Sequence, residues 1–314
     1  MIPVITIEGA TASGKSALAI ALAESLCTEI ISADSRQVYR YLDIGTAKVT
    51  KAEQQRAKHH LLDIINPDET YNAGSFAADA EKIITSLHSE GKIPIICGGT
   101  GLYIKALLNG LFTLPPLPTK IRYDLKQRLK EEGLTSLYSE LLNIDPEFAS
   151  KISENDTQRI LRGLEVFSGT GIPLSEHWRK QKETGKYNAF RILIDMPRPQ
   201  LYTRINERME KMLAEGLLQE IENLFAMGYT DHSPGLQCLG YKEFLPYFRE
   251  EASIEDCAII AAQHQRNYAK RQVTWYRKYT FDLTIDSSSI ILYNIVTKIK
   301  EGLKKKNANS SESI

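Results

Sequence analysis

Apolar residues fall into two kinds of run over the first hundred positions. Short continuous blocks rich in Ile and Val, at 3–7, 28–33 and 92–97, predict buried strands, each followed by a polar or Gly-rich loop. Between them, 15–26, 74–90 and 101–110 carry helical patterns. This alternation predicts a parallel α/β sheet flanked by helices, with its site at the carboxyl ends of the strands. Leu114-Pro115-Pro116-Leu117-Pro118 then breaks the chain. After it, residues 119–182 read as entirely helical, with amphipathic stretches at 119–132, 134–143, 156–168 and 174–182. The run Phe190-Arg191-Ile192-Leu193-Ile194-Asp195 restores a strand. The helical block is therefore expected to be an all-helical insertion domain, 118–187, in a core made of 1–117 and 188–303. Further helices are expected at 198–226, 239–249, 253–279 and 289–303, with a short strand at 281–285. The polar stretch 304–314 is expected to be a disordered tail.

Composition narrows the picture only a little. The 314 residues suffice for one large domain or two smaller ones. With 39 basic and 39 acidic residues, bulk charge predicts no polyanion partner, although a local basic patch is compatible with a neutral total. Cys27, Cys97, Cys238 and Cys257 lie far apart, with no zinc or disulfide spacing, and suit a reducing cytosol. No apolar segment reaches the ~18 residues of a membrane span. The N-terminal apolar run has no basic segment before it and reads as a core strand. A cytoplasmic location is expected.

The sharpest chemical signal is Gly9-Ala10-Thr11-Ala12-Ser13-Gly14-Lys15-Ser16, a complete G-x-x-x-x-G-K-S phosphate loop (P-loop). A strand precedes it and a helix follows, the context that separates a working loop from a chance match. Loop amides and the helix N-terminus cradle an anion, Lys15 adds a point charge, and the Ser16 hydroxyl is placed for Mg²⁺. A di- or triphosphate is the expected ligand.

Other constellations are less specific. The second strand ends at Asp34-Ser35-Arg36-Gln37, which a doubly wound sheet places beside the phosphate loop. An acid there serves either as a Mg²⁺ ligand or as a general base. The third strand runs into Gly98-Gly99-Thr100-Gly101, either a helix cap or a backbone that a ligand approaches closely. Residues 266–278 place five cations and three aromatics on one helix, read equally as a solvated face or as a nucleic-acid groove. Gln158, Arg159 and Arg162 share a helical face in the insertion. Adjacent His59 and His60 point to different sides of any regular element and read as structural.

Eight segments taken in order are more specific than any one of them. GATASGKS (9–16), SADSRQVYRYLDIGTAK (32–48), HHLLDI (59–64) and GGTGLYIKALLNG (98–110) come first. DTQRILRGLEVF (156–167), RPQLYTRINERMEKML (198–213), QCLGYKEF (237–244) and YAKRQVTWYR (268–277) follow. In these the chain resembles the bacterial tRNA dimethylallyltransferases (tRNA isopentenyltransferases), from the phosphate loop to about residue 282.

The resemblance implies that Gly9, Ala10, Thr11, Ala12, Ser13, Gly14, Lys15 and Ser16 hold the diphosphate of dimethylallyl diphosphate, with Mg²⁺ at Ser16. It implies transfer of the dimethylallyl group to the N6 amine of the adenine immediately 3′ of the anticodon. Asp34 matches the family's general base and Arg208 its diphosphate-holding arginine, with Lys15 sharing the developing charge. Thr100 and Arg122 match positions contacting tRNA near the target. The segments matching tRNA contacts are Asp34, Ser35, Arg36 and Gln37; Gln158, Arg159, Ile160, Leu161 and Arg162; Gln237, Cys238, Leu239, Gly240, Tyr241 and Lys242; and Arg271 to Lys278, including Gln272, Trp275 and Arg277. The helical insertion is expected to clamp the anticodon stem-loop, and the protein to act as a monomer. Ala10, Gln265 and the QCLG tetrapeptide depart slightly from the family's pattern.

Three rivals remain at this level. A small-molecule kinase accounts for the loop but not for QCLGYKEF or YAKRQVTWYR. An adenylate isopentenyltransferase acting on free AMP, ADP or ATP needs neither the insertion nor the basic helix. A non-catalytic RNA-binding factor needs no proton acceptor beside a diphosphate.

Overall fold

A computed structural model of the chain describes residues 1–111, 117–180, 185–286 and 292–311. Six strands form one sheet in the order β3-β2-β4-β1-β5-β6, with every pair parallel. They are β1 (Ile2–Gly9), β2 (Ile30–Ser32), β3 (His59–His60), β4 (Ile95–Gly98), β5 (Tyr187–Asp195) and β6 (Leu283–Asp286). β1 is central, with Ile5 opposite Ile95 on one side and Phe190 on the other. Its unbroken run of buried residues follows from cover on both faces. Two polar residues in that run are paired. Thr6 donates to Glu8 at 2.8 Å, and the Arg191 guanidinium grips the Glu8 carboxylate through Nε and Nη2, both at 2.8 Å.

The helices before the insertion are α1 (Lys15–Leu26), α2 (Lys51–Arg56), α3 (Ala73–Ser89) and α4 (Gly101–Asn109). One core cluster joins α1 residues Leu18 and Leu22 to Ile7 and Ile192 of the sheet. On the opposite face Phe76 and Ile84 of α3 meet Tyr103 and Ile104 of α4 over Val4, Ile31 and Ile96. Phe76 and Tyr103 stack at 4.6 Å between ring centres.

Residues Gly110–Thr184 form a separate compact unit from Met1–Asn109 with Gly185–Ile314. It contains α5 (Thr119–Ile144), α6 (Pro146–Ala149), α7 (Thr157–Thr170) and α8 (Leu174–Lys180). α5 is broken at Gly133 (φ 80°, ψ 165°), which separates the two expected stretches. Leu125, Leu137, Leu141, Phe148, Ile160 and Leu164 make up its core.

After the insertion come α9 (Arg198–Ala214), α10 (Leu217–Ala226), α11 (Leu245–Phe248), α12 (Ile254–Tyr276) and α13 (Leu292–Ser311). Met209, Leu217, Ile221, Tyr241, Phe244, Leu245 and Cys257 gather α9 to α12 around Val38 and Leu42 in another core cluster. Ile295, Ile299 and Leu303 of α13 join the cluster of α1 and the sheet.

Several expectations need correction. The boundary at 187 moves, because Tyr187 already pairs with Ile2 as the first residue of β5. The helix expected over 198–226 is two, parted at Glu215-Gly216. The one expected over 239–249 is only a 3-10 turn (Lys242–Phe244) plus one helical turn, since Gly240 sits at φ 102°. Helix α13 continues to Ser311 in place of a disordered tail from 304. Ile295, Ile299 and Leu303, spaced by four, are buried and dock it. Beyond them Lys306 bonds the Asp282 carboxylate at 2.8 Å and the Ala189 carbonyl at 2.7 Å. Within the expected tail, 312–314 lie outside the described residues, as do 114–116 of the Pro-rich break, 181–182 of the fourth amphipathic stretch, and 289–291 of the last expected helix. α2 and the two-residue β3 are too short to leave a periodic signal.

Candidate active site

The sheet order brings the ends of β1, β2 and β4 side by side at the carboxyl edge. From β1 runs the phosphate loop, from β2 the Asp34 turn, and from β4 the Gly98-Gly99-Thr100 segment. Gly98 has no room for a side chain, because a Cβ there would run into the Ala33 backbone. That contact lets the two loops close on each other. Thr100 N donates to Ala33 O at 3.2 Å, and the Thr100 hydroxyl accepts from Ser35 N at 3.1 Å. Within its turn, Asp34 Oδ1 accepts from Arg36 N at 2.9 Å, which orients the carboxylate.

The phosphate loop is built to receive an anion. Ala12 holds a left-handed conformation (φ 63°) unusual for a residue with a Cβ, and Gly14 follows at φ 94°. Gly14 caps α1, whose first amides, those of Lys15 and Ser16 among them, have no intrahelical partner and face the loop's concavity. The Lys15 ammonium folds back to the Ala10 carbonyl at 2.5 Å. Two buried polar atoms, Ser13 Oγ and Arg208 Nε, have no hydrogen-bond partner. Such orphans are costly unless a ligand satisfies them.

Arg208 reaches the loop from α9, its Nη2 donating to Thr11 Oγ1 at 2.9 Å and to Gln265 Oε1 at 2.8 Å. Burial, with the nearby Arg36 charge, pulls its guanidinium down to about 10. Burial likewise draws Lys15 down to about 8, against the opposing pull of Cys97 and Asp34. Asp34 is thus within electrostatic reach of both cations, and the three groups converge on one anion cradle.

The Lys15 value predicts a pH effect. In the free site the ammonium loses its proton as pH rises through about 8; a bound anion favours the protonated form. Affinity for inorganic diphosphate should therefore fall by up to about tenfold per pH unit above that point, relative to Lys15→Met. Calorimetry of both proteins from pH 7 to 9.5 gives the comparison and cancels the ligand's own ionisation. Parallel pH profiles for the two would show that Lys15 does not titrate in this window.

α12 contributes more than a surface. Ala261, Gln265, Ala269, Gln272 and Tyr276 form one buried stripe at helical spacing. Its two glutamines are used up internally: Gln265 holds Arg208, while Gln272 accepts from Thr11 N and donates to Gly99 O, both at 2.8 Å. The Thr11 amide is therefore committed to Gln272 and is not among the loop's anion donors. Sequence reasoning missed all three bonds. Two amide side chains in phase with an apolar stripe were the available signal.

A sequence profile described as IPP transferase matches residues 37–279, well over half of the chain. The tRNA dimethylallyltransferase of Syntrophobacter fumaroxidans is 43% identical over 278 residues, covering 88% of this chain and 81% of that one. That of Carboxydothermus hydrogenoformans is 41% identical over 297 residues, 94% of this chain and 95% of its own. The chain belongs to the IPP transferase family. Solved members agree. The full-length tRNA isopentenylpyrophosphate transferase of Bacillus halodurans superposes with a TM-score of 0.74 at 33% identity, covering 99% of this chain and 100% of that one. A eukaryotic dimethylallyltransferase captured acting on tRNA gives 0.78 at 32% identity, covering 91% of this chain and 74% of its own.

The IPP transferase residues expected to meet tRNA divide by exposure. Gln158, Arg159, Arg162 and Arg122 are exposed on the helical unit, Arg159 paired with Asp156 and Arg162 with Glu165. On the α/β unit Gln237, Lys242, Arg271, Arg277 and Lys278 are exposed, and Ser35, Cys238, Leu239 and Trp275 half-buried. Leu161 of the helical unit is likewise half-buried.

Two of the half-buried polar side chains are tied down. Arg36 stacks on Tyr268 at 4.6 Å and donates to Leu239 O at 3.1 Å. Gln37 bonds Ser32 Oγ and the Ala47 carbonyl.

Three of the expected side-chain contacts are corrected. Ile160 is fully buried in the helical core, Tyr241 is fully buried with its hydroxyl on Glu220 at 2.6 Å, and Gln272 is spent on the two loops. Their side chains hold the fold and are not accessible surface.

Proposed function

We propose that the chain transfers the dimethylallyl group of dimethylallyl diphosphate to the N6 amine of the adenine immediately 3′ of the anticodon in tRNA, releasing diphosphate. The observation that carries this reading is the convergence of Asp34, Lys15 and Arg208 at the phosphate loop, where two buried polar atoms, Ser13 Oγ of the loop and Nε of Arg208 from α9, have no hydrogen-bond partner. A proton acceptor beside an anion cradle suits a reaction in which an amine displaces diphosphate. The N6 lone pair forms a bond to the allylic carbon, the carbon–oxygen bond breaks toward diphosphate, and Asp34 accepts the amine proton. Lys15, Arg208 and the loop amides take up the charge growing on the leaving oxygens. An exocyclic amine is a weak nucleophile, so holding it in line supplies much of the rate.

Ser16, an exposed residue in the first turn of α1, is the residue that would hold a Mg²⁺ ion. No cluster of three or more His, Cys, Asp or Glu suited to a metal occurs among the described residues. One hydroxyl plus diphosphate oxygens and waters is a donor set that Mg²⁺ accepts, and the ion would neutralise diphosphate charge. The protein acts as a monomer in the cytoplasm on this reading. Among the described residues no helix is long and apolar enough to cross a membrane.

Mass spectrometry of nucleosides tests the reading: unmodified tRNA is incubated with the protein, Mg²⁺ and dimethylallyl diphosphate, beside a parallel AMP reaction. Isopentenyladenosine in tRNA and none on AMP is the expected result. Prenylated AMP with untouched tRNA would instead mark an adenylate-specific enzyme.

The helical unit's role has its own test. Arg162 stands exposed on α7, its Nη1 held at 2.8 Å by the buried Glu165 carboxylate, which leaves the rest of the guanidinium open to a phosphate. Arg162→Ala should weaken tRNA binding and lower the slope of log affinity against log salt by about 1. An unaltered slope in filter binding would mean that Arg162 touches no phosphate.

A further inference from the structure

A continuous hydrogen-bonded path links the anion cradle to the Asp34 turn, and Gln272 is its only side-chain amide. Thr11 N donates to Gln272 Oε1 at 2.8 Å, and Gln272 Nε2 donates to Gly99 O at 2.8 Å. The next residue, Thr100, bonds Ala33 O through its amide and receives Ser35 N on its hydroxyl. Ala33 and Ser35 flank Asp34 in the chain. Gln272 is 6% exposed, and both ends of its amide are used.

Its place in the helix leaves it little freedom. Ala269 and Tyr276, one turn to either side, are buried, and the Tyr276 hydroxyl donates to Gly98 O at 3.4 Å. A Cβ on Gly99 would collide with the Gln272 amide, so the carbonyl and the amide approach as closely as a bare backbone permits. Seven residues earlier, Gln265 grips the Arg208 guanidinium that also bonds Thr11 Oγ1. One rigid helix therefore sets the loop, the arginine and the Gly99 carbonyl against a common frame.

We infer that Gln272 is a positioning residue for prenyl transfer, fixing the phosphate loop relative to the Asp34 turn so that occupation of one site orders the other. The inference rests on the proposed function above. Gln272 touches neither substrate; it sets how far the allylic carbon lies from the base that takes the amine proton. A shift of an ångström in that spacing is enough to lower turnover.

Two measurements test it. In the wild-type protein, hydrogen exchange is followed by mass spectrometry before and after saturation with magnesium diphosphate. Protection should extend beyond residues 9–16 to the peptides holding 98–101 and 33–37; protection confined to 9–16 would overturn the coupling. The second compares Gln272→Met, close in size but without the amide, with wild type under saturating tRNA and dimethylallyl diphosphate. Turnover per diphosphate-binding site should fall ~10–100-fold, with KM for tRNA changed less than twofold. The spread of protection to 33–37 should be lost.

Unchanged turnover, or a loss confined to KM for tRNA, would overturn the inference. The latter would make Gln272 a tRNA contact. A merely structural role would lower the fraction of protein that binds diphosphate without changing turnover per site. The wild-type prenylation assay runs alongside. Its failure would count against the proposed function, and its success beside an unaffected variant against Gln272 alone.

Discussion

Asp34→Ala should lower turnover by about 10²–10⁴-fold while leaving tRNA affinity close to that of the unaltered protein. The carboxylate stands at the end of β2 in a turn set by its own bond to Arg36 N and by the Ser35–Thr100 bond beside it. One oxygen is engaged by that amide, and the other is left to take the amine proton. Of the positive groups that act on Asp34, Arg36 lies in its own turn, while Lys15 and Arg208 belong to the anion cradle, which puts the carboxylate beside that cradle. Asp34→Asn is the sharper variant, because its side-chain oxygen can still accept from Arg36 N and keep the turn. The asparagine variant should therefore match the alanine variant in lost turnover and the wild type in thermal stability. Single-turnover prenylation with enzyme in excess over tRNA gives the chemical rate, while filter binding and thermal melts give affinity and stability. Retention of wild-type turnover by Asp34→Asn would end the general-base role.

Arg208→Ala carries the second large effect, a fall of about 10²–10³-fold in kcat. The guanidinium is buried, pulled down to about 10, and left with an unpaired Nε, an unfavourable state that a bound diphosphate would relieve under the proposed function. Its two Nη2 bonds to Thr11 and Gln265 hold the planar group in place before substrate arrives. Charge on the leaving oxygens grows as the carbon–oxygen bond breaks, so the arginine's contribution is greater in the transition state than in the ground state. kcat should fall by more than KM for dimethylallyl diphosphate rises. Arg208→Lys should restore only a small part of the rate, since a compact ammonium does not reproduce the planar fork whose separate nitrogens hold the two bonds and face the anion. A variant with altered KM and intact kcat would show that Arg208 binds substrate and does nothing further.

These two residues also show how far a linear reading reaches. Asp34 was visible as the acid ending a strand next to a phosphate loop, with alternatives open until the resemblance gave it a role. Arg208 carried no local signal at all, being one arginine among several in α9. The strands β1, β2 and β4 and the helices α1, α3 and α4 were legible because burial on one or both sides writes a period into the sequence. The extension of α13 to Ser311 was not, because its last third has polar composition and is held by Lys306 and by docked residues before it. The resemblance places Tyr241 and Gln272 in segments that contact tRNA, yet both side chains are buried. Whether a polar side chain on a helix faces a partner or a loop of its own protein depends on what is packed there.

From residue order alone came the phosphate loop, the alternation of strand and helix, the break before a helical unit, and the membership that eight ordered segments imply. All of these rest on local spacing, which backbone geometry translates directly into structure. Left to tertiary structure were the strand order that sets three loops on one edge, the meeting of Arg208 with Thr11 across 197 positions, and the bridge from Gln272 to Thr11 across 261. Contacts of such separation leave no periodic trace, because they arise only when the sheet's pairing brings distant segments to the same place.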